Sequence, residues 1–61
     1  MKEKIKNFRQ AIGLSQIELA KKLGYEGKSI VCMWEKGTRT PSINKLPDLA
    51  KIFRCKIDDL F

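Results

Sequence analysis

The sequence contains no histidine, and its only two cysteines, Cys32 and Cys55, form no CxxC pair. A structural zinc site usually takes four Cys or His ligands, so this composition argues against a bound metal. Histidine, the commonest general base, is thus missing. There is neither a Cys–His pair nor a glycine-rich phosphate loop. The adjacent Asp58 and Asp59 fit a solvated helix start. We therefore expect no enzymatic activity and no cofactor, with both thiols free in a reducing compartment.

Long apolar runs are also absent. None approaches the roughly 18 residues that a membrane-spanning helix needs. The segment 1–4 lacks the apolar stretch of a signal peptide. The 61 residues suffice for one small domain, which we assign to residues 1–61. From these features we expect a cytoplasmic protein with no membrane partner.

What the chain has in excess is positive charge. Thirteen basic residues stand against seven acidic ones, for a net charge of +6. The whole excess lies in residues 1–45, because residues 46–61 hold equal numbers of each sign. A positive field favours a polyanionic partner, either a nucleic acid or an anionic membrane surface.

Apolar spacing predicts helices punctuated by glycine. The first helix carries Ile5, Phe8 and Ile12 on one face and ends at Gly13. A second helix begins at Ser15, since Ser15 and Glu18 have the spacing of a capping box, in which each side chain bonds a free backbone N–H. Its inward-facing residues are Leu19, Ala20 and Leu23, and it ends at Gly24.

Three further helices follow. The third runs over about 28–36, with Val31 and Trp34 on its inner face, and ends at Gly37. Ser42 is predicted to cap a fourth helix, and its expected inner residues are Ile43, Leu46, Leu49, Ala50 and Phe53. Pro47 fits near the first turn of that helix. A last short turn over 57–61 would lay Ile57 and Leu60 on the core. No segment alternates like a strand, so we predict an all-α fold of five short helices.

The central helix, tight turn and helix over about 16–36 can present its second helix to a DNA major groove. The residue string is more specific than this layout. It resembles the Cro/phage-repressor (XRE-type) helix-turn-helix family over about residues 4–61, with one extra residue in the 24–28 turn. The matching segments are Gly13-Leu14-Ser15-Gln16, Glu18-Leu19-Ala20, Leu23-Gly24, Trp34-Glu35-Lys36-Gly37, Pro41-Ser42 and Leu49-Ala50. The resemblance implies a lambda-repressor-like fold and a transcriptional regulator, expected to be a repressor, that binds double-stranded DNA.

The resemblance also implies roles for individual residues. Gln16, at the start of the second helix, would contact a DNA phosphate, and so would Arg39 and Thr40 in the loop after the third helix. The outward face of that third, recognition helix would read the bases through Lys28, Ser29, Cys32 and Met33. For Gln16, Lys28 and the 39–40 loop, the alternative interpretation is a solvated surface, and for Ser29 it is a helix-start residue that bonds the local backbone. Trp34 is expected in the core, rather than stacked on bases.

Two further roles concern structure and assembly. The family pairs the first-helix Arg with the Glu that follows Trp34, so a partly buried Arg9–Glu35 salt bridge is expected. Larger repressors dimerise through a C-terminal domain that this sequence does not include. Short relatives often use the last helix, which here would offer Ile57, Leu60 and Phe61. A homodimer would match a palindromic operator with half-sites about one DNA turn apart.

The recognition helix departs from the family pattern because it is unusually apolar at Ile30, Cys32 and Met33. One interpretation is contact with thymine methyl groups, with phosphate contacts supplying most of the affinity. The other is a helix-turn-helix module that binds a protein, such as an antitoxin or a partner-binding regulator. Arg54 also stands where the family often has glycine, and Lys56 where it often has a Ser or Thr cap, so the last helix is expected to be short.

Overall fold

The computed structural model describes residues 1–61. It contains four α-helices, α1 (Lys2–Ala11), α2 (Gln16–Lys22), α3 (Ser29–Lys36) and α4 (Leu46–Phe53), followed by a 3₁₀ turn over Ile57–Leu60. No strand is present. The predicted all-α class is confirmed, and the fifth helical piece is a single 3₁₀ turn.

Local sequence signals set the ends of α2. The Ser15 hydroxyl accepts the Glu18 backbone N–H at 3.1 Å, and the Glu18 carboxylate accepts the Ser15 N–H at 2.9 Å. The Ser15 N–H, and to a smaller extent the Ser15 side chain, lowers the pKa of Glu18 because hydrogen bonds to the carboxylate favour its charged form. Gly24 follows the helix with a φ of +91°, a backbone conformation that glycine adopts without the Cβ clash of other residues. The predicted capping box and glycine stop are confirmed.

The core lies between the helices and is entirely hydrophobic. Its largest fully buried side chains are Ile5, Leu19, Val31, Leu49 and Leu60. Helix α3 packs against both α1 and α2, while the 3₁₀ turn packs against α4 and α1. Trp34 is 2% exposed, as predicted, and meets Tyr25 edge to face with the ring centroids 6.0 Å apart. The aromatic pair therefore packs the turn between α2 and α3 against the core.

The beginning of α4 differs from the prediction. Ser42 does not cap this helix: residues 43–45 form a turn, and α4 begins at Leu46 with Pro47 in its first turn. Had the helix begun after Ser42, the ring of Pro47 would have met the carbonyl of Ile43 and its missing N–H would have broken a hydrogen bond. At the second helical position neither cost arises. Ile43, predicted to face inward, is consequently 80% exposed.

Two more apolar residues lie outside the core. Ile12 is 43% exposed because it follows the last helical residue of α1 as the C-cap and so leaves the inner stripe. Ile57 is 38% exposed at the start of the 3₁₀ turn. Before that turn, Arg54 adopts a φ of +56°, the only positive φ outside glycine. The expected short last helix is thus present, with a non-glycine residue in the left-handed conformation.

Candidate nucleic-acid interface

The candidate interface consists of the start of α2, the exposed side of α3 and the loop that follows α3. Lys28 and Ser29 are exposed where α3 begins. Because α3 buries Val31 and Trp34 against the body of the protein, its first residues remain open to solvent. Lysine and serine side chains at such a position can donate hydrogen bonds to guanine acceptors or to phosphate oxygens.

The middle of α3 is apolar, but less of it is open than the sequence suggested. Ile30 is partly buried and packs against the core. Cys32 and Met33 are half-buried and do not belong to the set that packs on the core. We call Cys32 and Met33 the apolar face of α3. Its side chains offer van der Waals contact and little polar recognition.

Gln16 is the first residue of α2 and is half-buried. Its amide nitrogen donates a hydrogen bond to Glu35 Oε1 at 3.1 Å. An ionised carboxylate can only accept, so this bond fixes which end of the Gln16 amide faces Glu35. The second N–H of the amide and its carbonyl oxygen have no protein partner in the structure. One N–H therefore holds the side chain in place while the other is available to an external acceptor.

Glu35 is also the partner of Arg9. Arg9 Nε donates to Glu35 Oε2 at 2.6 Å and Arg9 Nη2 donates to Oε1 at 3.1 Å, which makes the ion pair bidentate. The two side chains are 11% and 7% exposed. Arg9 Nη1 additionally donates to the Leu14 carbonyl at 2.8 Å. This Arg9–Glu35–Gln16 network links α1, the loop before α2, the first residue of α2 and α3.

The family resemblance gave Arg9, Glu35 and Gln16 separate roles, and it missed the bond between Gln16 and Glu35. No spacing rule links these two residues, because they lie on different helices. The only signal in the sequence was that all three are polar residues near apolar core positions. A polar network inside a small fold is a geometric property that emerges from packing.

The loop after α3 carries Arg39 and Thr40, and both are exposed. Its backbone folds back on the helix: the N–H groups of Thr38 and Arg39 donate to the Met33 carbonyl at 3.0 and 3.3 Å. Neither the Arg39 guanidinium nor the Thr40 hydroxyl has a hydrogen-bond partner within the protein. A fixed backbone with free donors is suited to contact an anion.

The three residues predicted for dimerisation differ in exposure. Phe61 and Ile57 are 66% and 38% exposed and can meet a second copy. Leu60 is fully buried in the core, so its side chain has no surface to offer. Its assignment as a dimer contact is therefore corrected: the 3₁₀ turn directs Leu60 inward.

Three further observations concern cysteine chemistry, metal binding and membrane insertion. Both cysteines are half-buried free thiols, and burial raises the pKa of Cys55, with a smaller contribution from Asp59. No cluster of three or more Cys, Asp or Glu side chains has the geometry to hold a metal ion. None of the helices has the length and apolarity required to cross a bilayer.

The helix-turn-helix family model matches residues 5–60. Two proteins of Archaeoglobus fulgidus are 41% and 39% identical to the whole of this chain, which covers 86% and 84% of their lengths. A protein of Methanocaldococcus jannaschii is 43% identical over the whole chain, which covers 91% of it. All three are named uncharacterized HTH-type transcriptional regulators. No solved structure is a significant match.

Proposed function

The chain belongs to the Cro/phage-repressor type of helix-turn-helix proteins, and from this premise we propose that it is a DNA-binding transcriptional regulator. The observation that carries the proposal is the α2–turn–α3 unit, which exposes Lys28 and Ser29 where α3 begins and is followed by a loop with an exposed Arg39. The family is generally non-enzymatic, and we propose no catalytic role. We further propose that residues 1–61 act as one cytoplasmic domain.

In the proposed complex, α3 lies in the major groove of double-stranded DNA. The free N–H of Gln16 and the side chains of Arg39 and Thr40 donate to phosphate oxygens on either side of the groove. Such contacts fix the position of the protein on the duplex without reading its sequence. The bond from Gln16 to Glu35 supports this role, because it limits the rotamers of the amide before DNA arrives.

Base reading is assigned to Lys28 and Ser29, together with the apolar face of α3. Lys28 can donate to guanine O6 or N7, and Ser29 to a base or a phosphate. Cys32 and Met33 can contact thymine methyl groups. This face has few donors for the base edges, so we propose that much of the affinity comes from phosphates, with methyl contacts and DNA shape adding specificity.

We also propose that the regulator is a repressor that binds a palindromic operator as a homodimer. Exposed Ile57 and Phe61 support an apolar contact between two copies. Two-fold symmetry of the protein would match two half-sites about one turn of DNA apart. Such a small contact is weak in isolation, so the dimer would be completed on the operator.

A second candidate function rests on the apolar face of α3. A half-buried Cys32 and Met33 also suit contact with a protein, so the domain could serve as an antitoxin or a partner-binding regulator. Salt dependence separates the two candidates. A DNA complex with about 4 to 6 phosphate contacts should lose affinity with salt at a log–log slope of about −4 to −5.

The test is selection of bound duplexes from a random DNA pool, followed by titration of the selected duplex at several salt concentrations. The DNA proposal predicts an enriched two-fold symmetric site and the steep slope given above. Gln16→Ala should weaken binding to specific and scrambled duplexes alike. Gln10→Ala is the matched control, since Gln10 is an exposed amide on α1 outside the interface. A pool that enriches nothing, together with a flat salt response, would favour the protein-partner candidate.

A further inference from the structure

A cavity of about 380 Å³ opens where α1 begins and the loop after α3 passes it. Its wall is formed by side chains and backbone from α1, the end of α3 and that loop, chiefly Lys2, Trp34, Lys36, Gly37, Arg39 and Thr40. The volume falls within the range of pockets that hold small ligands, roughly 300 to 1,000 Å³. The cavity includes Arg39 and Thr40 of the proposed interface, but Lys2 and Lys36 have no role there.

The charges around this cavity all have one sign. Lys2, Lys36 and Arg39 line it, and no acidic residue does. None of the three is in an ion pair, because the protein's one salt bridge joins Arg9 to Glu35. Like charges gathered at one opening repel each other, and an anion placed between them removes that repulsion.

The side chain of Lys2 lies against Gly37. A Cβ at position 37 would lie 3.0 Å from Lys2 Cδ and 3.7 Å from Lys2 Nζ. The bare backbone of Gly37 therefore lets the Lys2 stem lie across the turn, with its ammonium group against the end of α3. Gly37 has a φ of +81°, so the same glycine both ends the helix and makes room for the lysine.

The floor of the cavity is held in place before any ligand binds. Gly37 N–H donates to the Trp34 carbonyl at 3.2 Å, and the next two backbone N–H groups donate to Met33. Trp34 itself is buried in the core. A site whose backbone is already ordered loses less conformational entropy on binding than a flexible loop does.

We propose that this cavity is a binding site for a phosphate group. Two ammonium groups, a guanidinium and the Thr40 hydroxyl can surround a tetrahedral anion from several directions, and Arg39 can donate to two of its oxygens at once. The phosphate belongs either to the DNA backbone or to a free phosphate compound. In the first case the site extends the proposed interface and rests on the proposed function. Both sources present the same oxygens to the same donors.

The test uses the double variant Lys2→Gln/Lys36→Gln. Its matched control is Lys22→Gln/Lys51→Gln, which removes the same charge at a different cavity. All four lysines are exposed, so both variants should fold, as circular dichroism can verify. DNA affinity is measured over a range of salt concentrations for the wild type, the variant and the control. Amide NMR shifts of the wild type and the variant are followed during titration with inorganic phosphate, against sodium chloride at matched ionic strength.

If the DNA backbone supplies the phosphate, the salt slope of the variant is shallower than that of the control by about 0.9 for each DNA phosphate that the variant no longer binds. Over a fourfold rise in salt, this makes the decrease in affinity smaller by about 3.5-fold per phosphate. If a free phosphate compound is the ligand, the two slopes agree, while inorganic phosphate shifts the amides of residues 37–40 saturably in the wild type alone. Equal slopes without saturable shifts would overturn the proposal.

These outcomes separate the cavity from the proposed function. If the wild type binds no DNA, the proposed function is wrong and the phosphate titration alone decides the cavity. If the wild type binds DNA with the expected slope, the salt slopes of the variant and the control agree, and phosphate causes no saturable shifts in the wild type, the cavity proposal is wrong and the DNA proposal stands.

Discussion

Replacing Glu35 with alanine should destabilise the protein more than the same replacement of any other carboxylate residue. The Glu35 carboxylate accepts hydrogen bonds from Arg9 Nε, Arg9 Nη2 and Gln16 Nε2. Glu35→Ala removes the acceptor of all three bonds at once. Arg9 keeps its bond to the Leu14 carbonyl, but its positive charge then has no partner in a site where its side chain is only 11% exposed.

The expected cost follows from that burial. Breaking one side of a fully buried ion pair costs about 3–5 kcal/mol, largely because the remaining charge is uncompensated. Here water can reach part of Arg9 and one strong bond remains, so we expect about 2–3 kcal/mol. A domain of this size has a total stability of about 3–9 kcal/mol. The substitution should therefore lower Tm by roughly 10–20 °C.

Thermal and urea unfolding of purified Glu35→Ala measure this cost. The control is Glu26→Ala, which removes the same charge from an exposed turn residue without a partner. A double-mutant cycle with Arg9→Met isolates the pair: once Arg9 is gone, Glu35→Ala should cost markedly less. A Tm for Glu35→Ala within about 2 °C of the control, or additive costs in the cycle, would refute the reasoning.

Five other outcomes are expected. Ser15→Ala should cost about 1 kcal/mol, while Ser42→Ala, which caps no helix, should cost almost nothing in the same urea titration. The pKa of Glu18 is lowered in the folded protein. Its stabilising contribution is therefore present at pH values above the pKa of the unfolded state, and it is lost as pH falls through the pKa of the folded state. Glu18→Gln should flatten part of the decline in Tm at acid pH. Arg54→Gly should raise stability by about 0.5–1 kcal/mol by relieving the left-handed backbone, after the entropy cost of glycine. Phe61→Glu should reduce the number of protein copies bound to operator DNA from two to one, as measured by sedimentation. A duplex with uracil in place of thymine should bind several-fold more weakly if the apolar face of α3 reads methyl groups.

The sequence was sufficient where short-range chemistry decides the structure. The capping box at Ser15 and Glu18 and the glycines that follow α1, α2 and α3 all act within one helical turn. Each of these signals has a local physical cause, either a free N–H that needs an acceptor or a backbone angle that a Cβ disfavours. The end of α1 and both boundaries of α2 and α3 could therefore be predicted to within a residue or two.

Prediction failed where two local rules competed. A serine before an apolar run predicts an N-cap, but Pro47 four residues beyond Ile43 prevents a helix from starting there. The apolar pattern also treats Ile12 and Ile43 as core residues, although both lie just outside a helix end. Periodicity assumes that the helix continues, so it misplaces residues at positions where the backbone leaves the helix.

The contacts that matter most for the proposed function could not be predicted, because they join elements that are far apart in the sequence. Glu35 holds α3 against α1 through Arg9, and it also holds the Gln16 amide at the start of α2. One carboxylate therefore sets both the orientation of the recognition helix and the position of a proposed phosphate contact. It follows that replacing Glu35 should lower stability and DNA affinity together. Lys28→Gln, at an exposed position outside this network, should instead change sequence preference while leaving Tm unaltered. On the proposed function, substitutions at Lys28 and its neighbours should alter DNA sequence preference without disturbing the contacts that position α3.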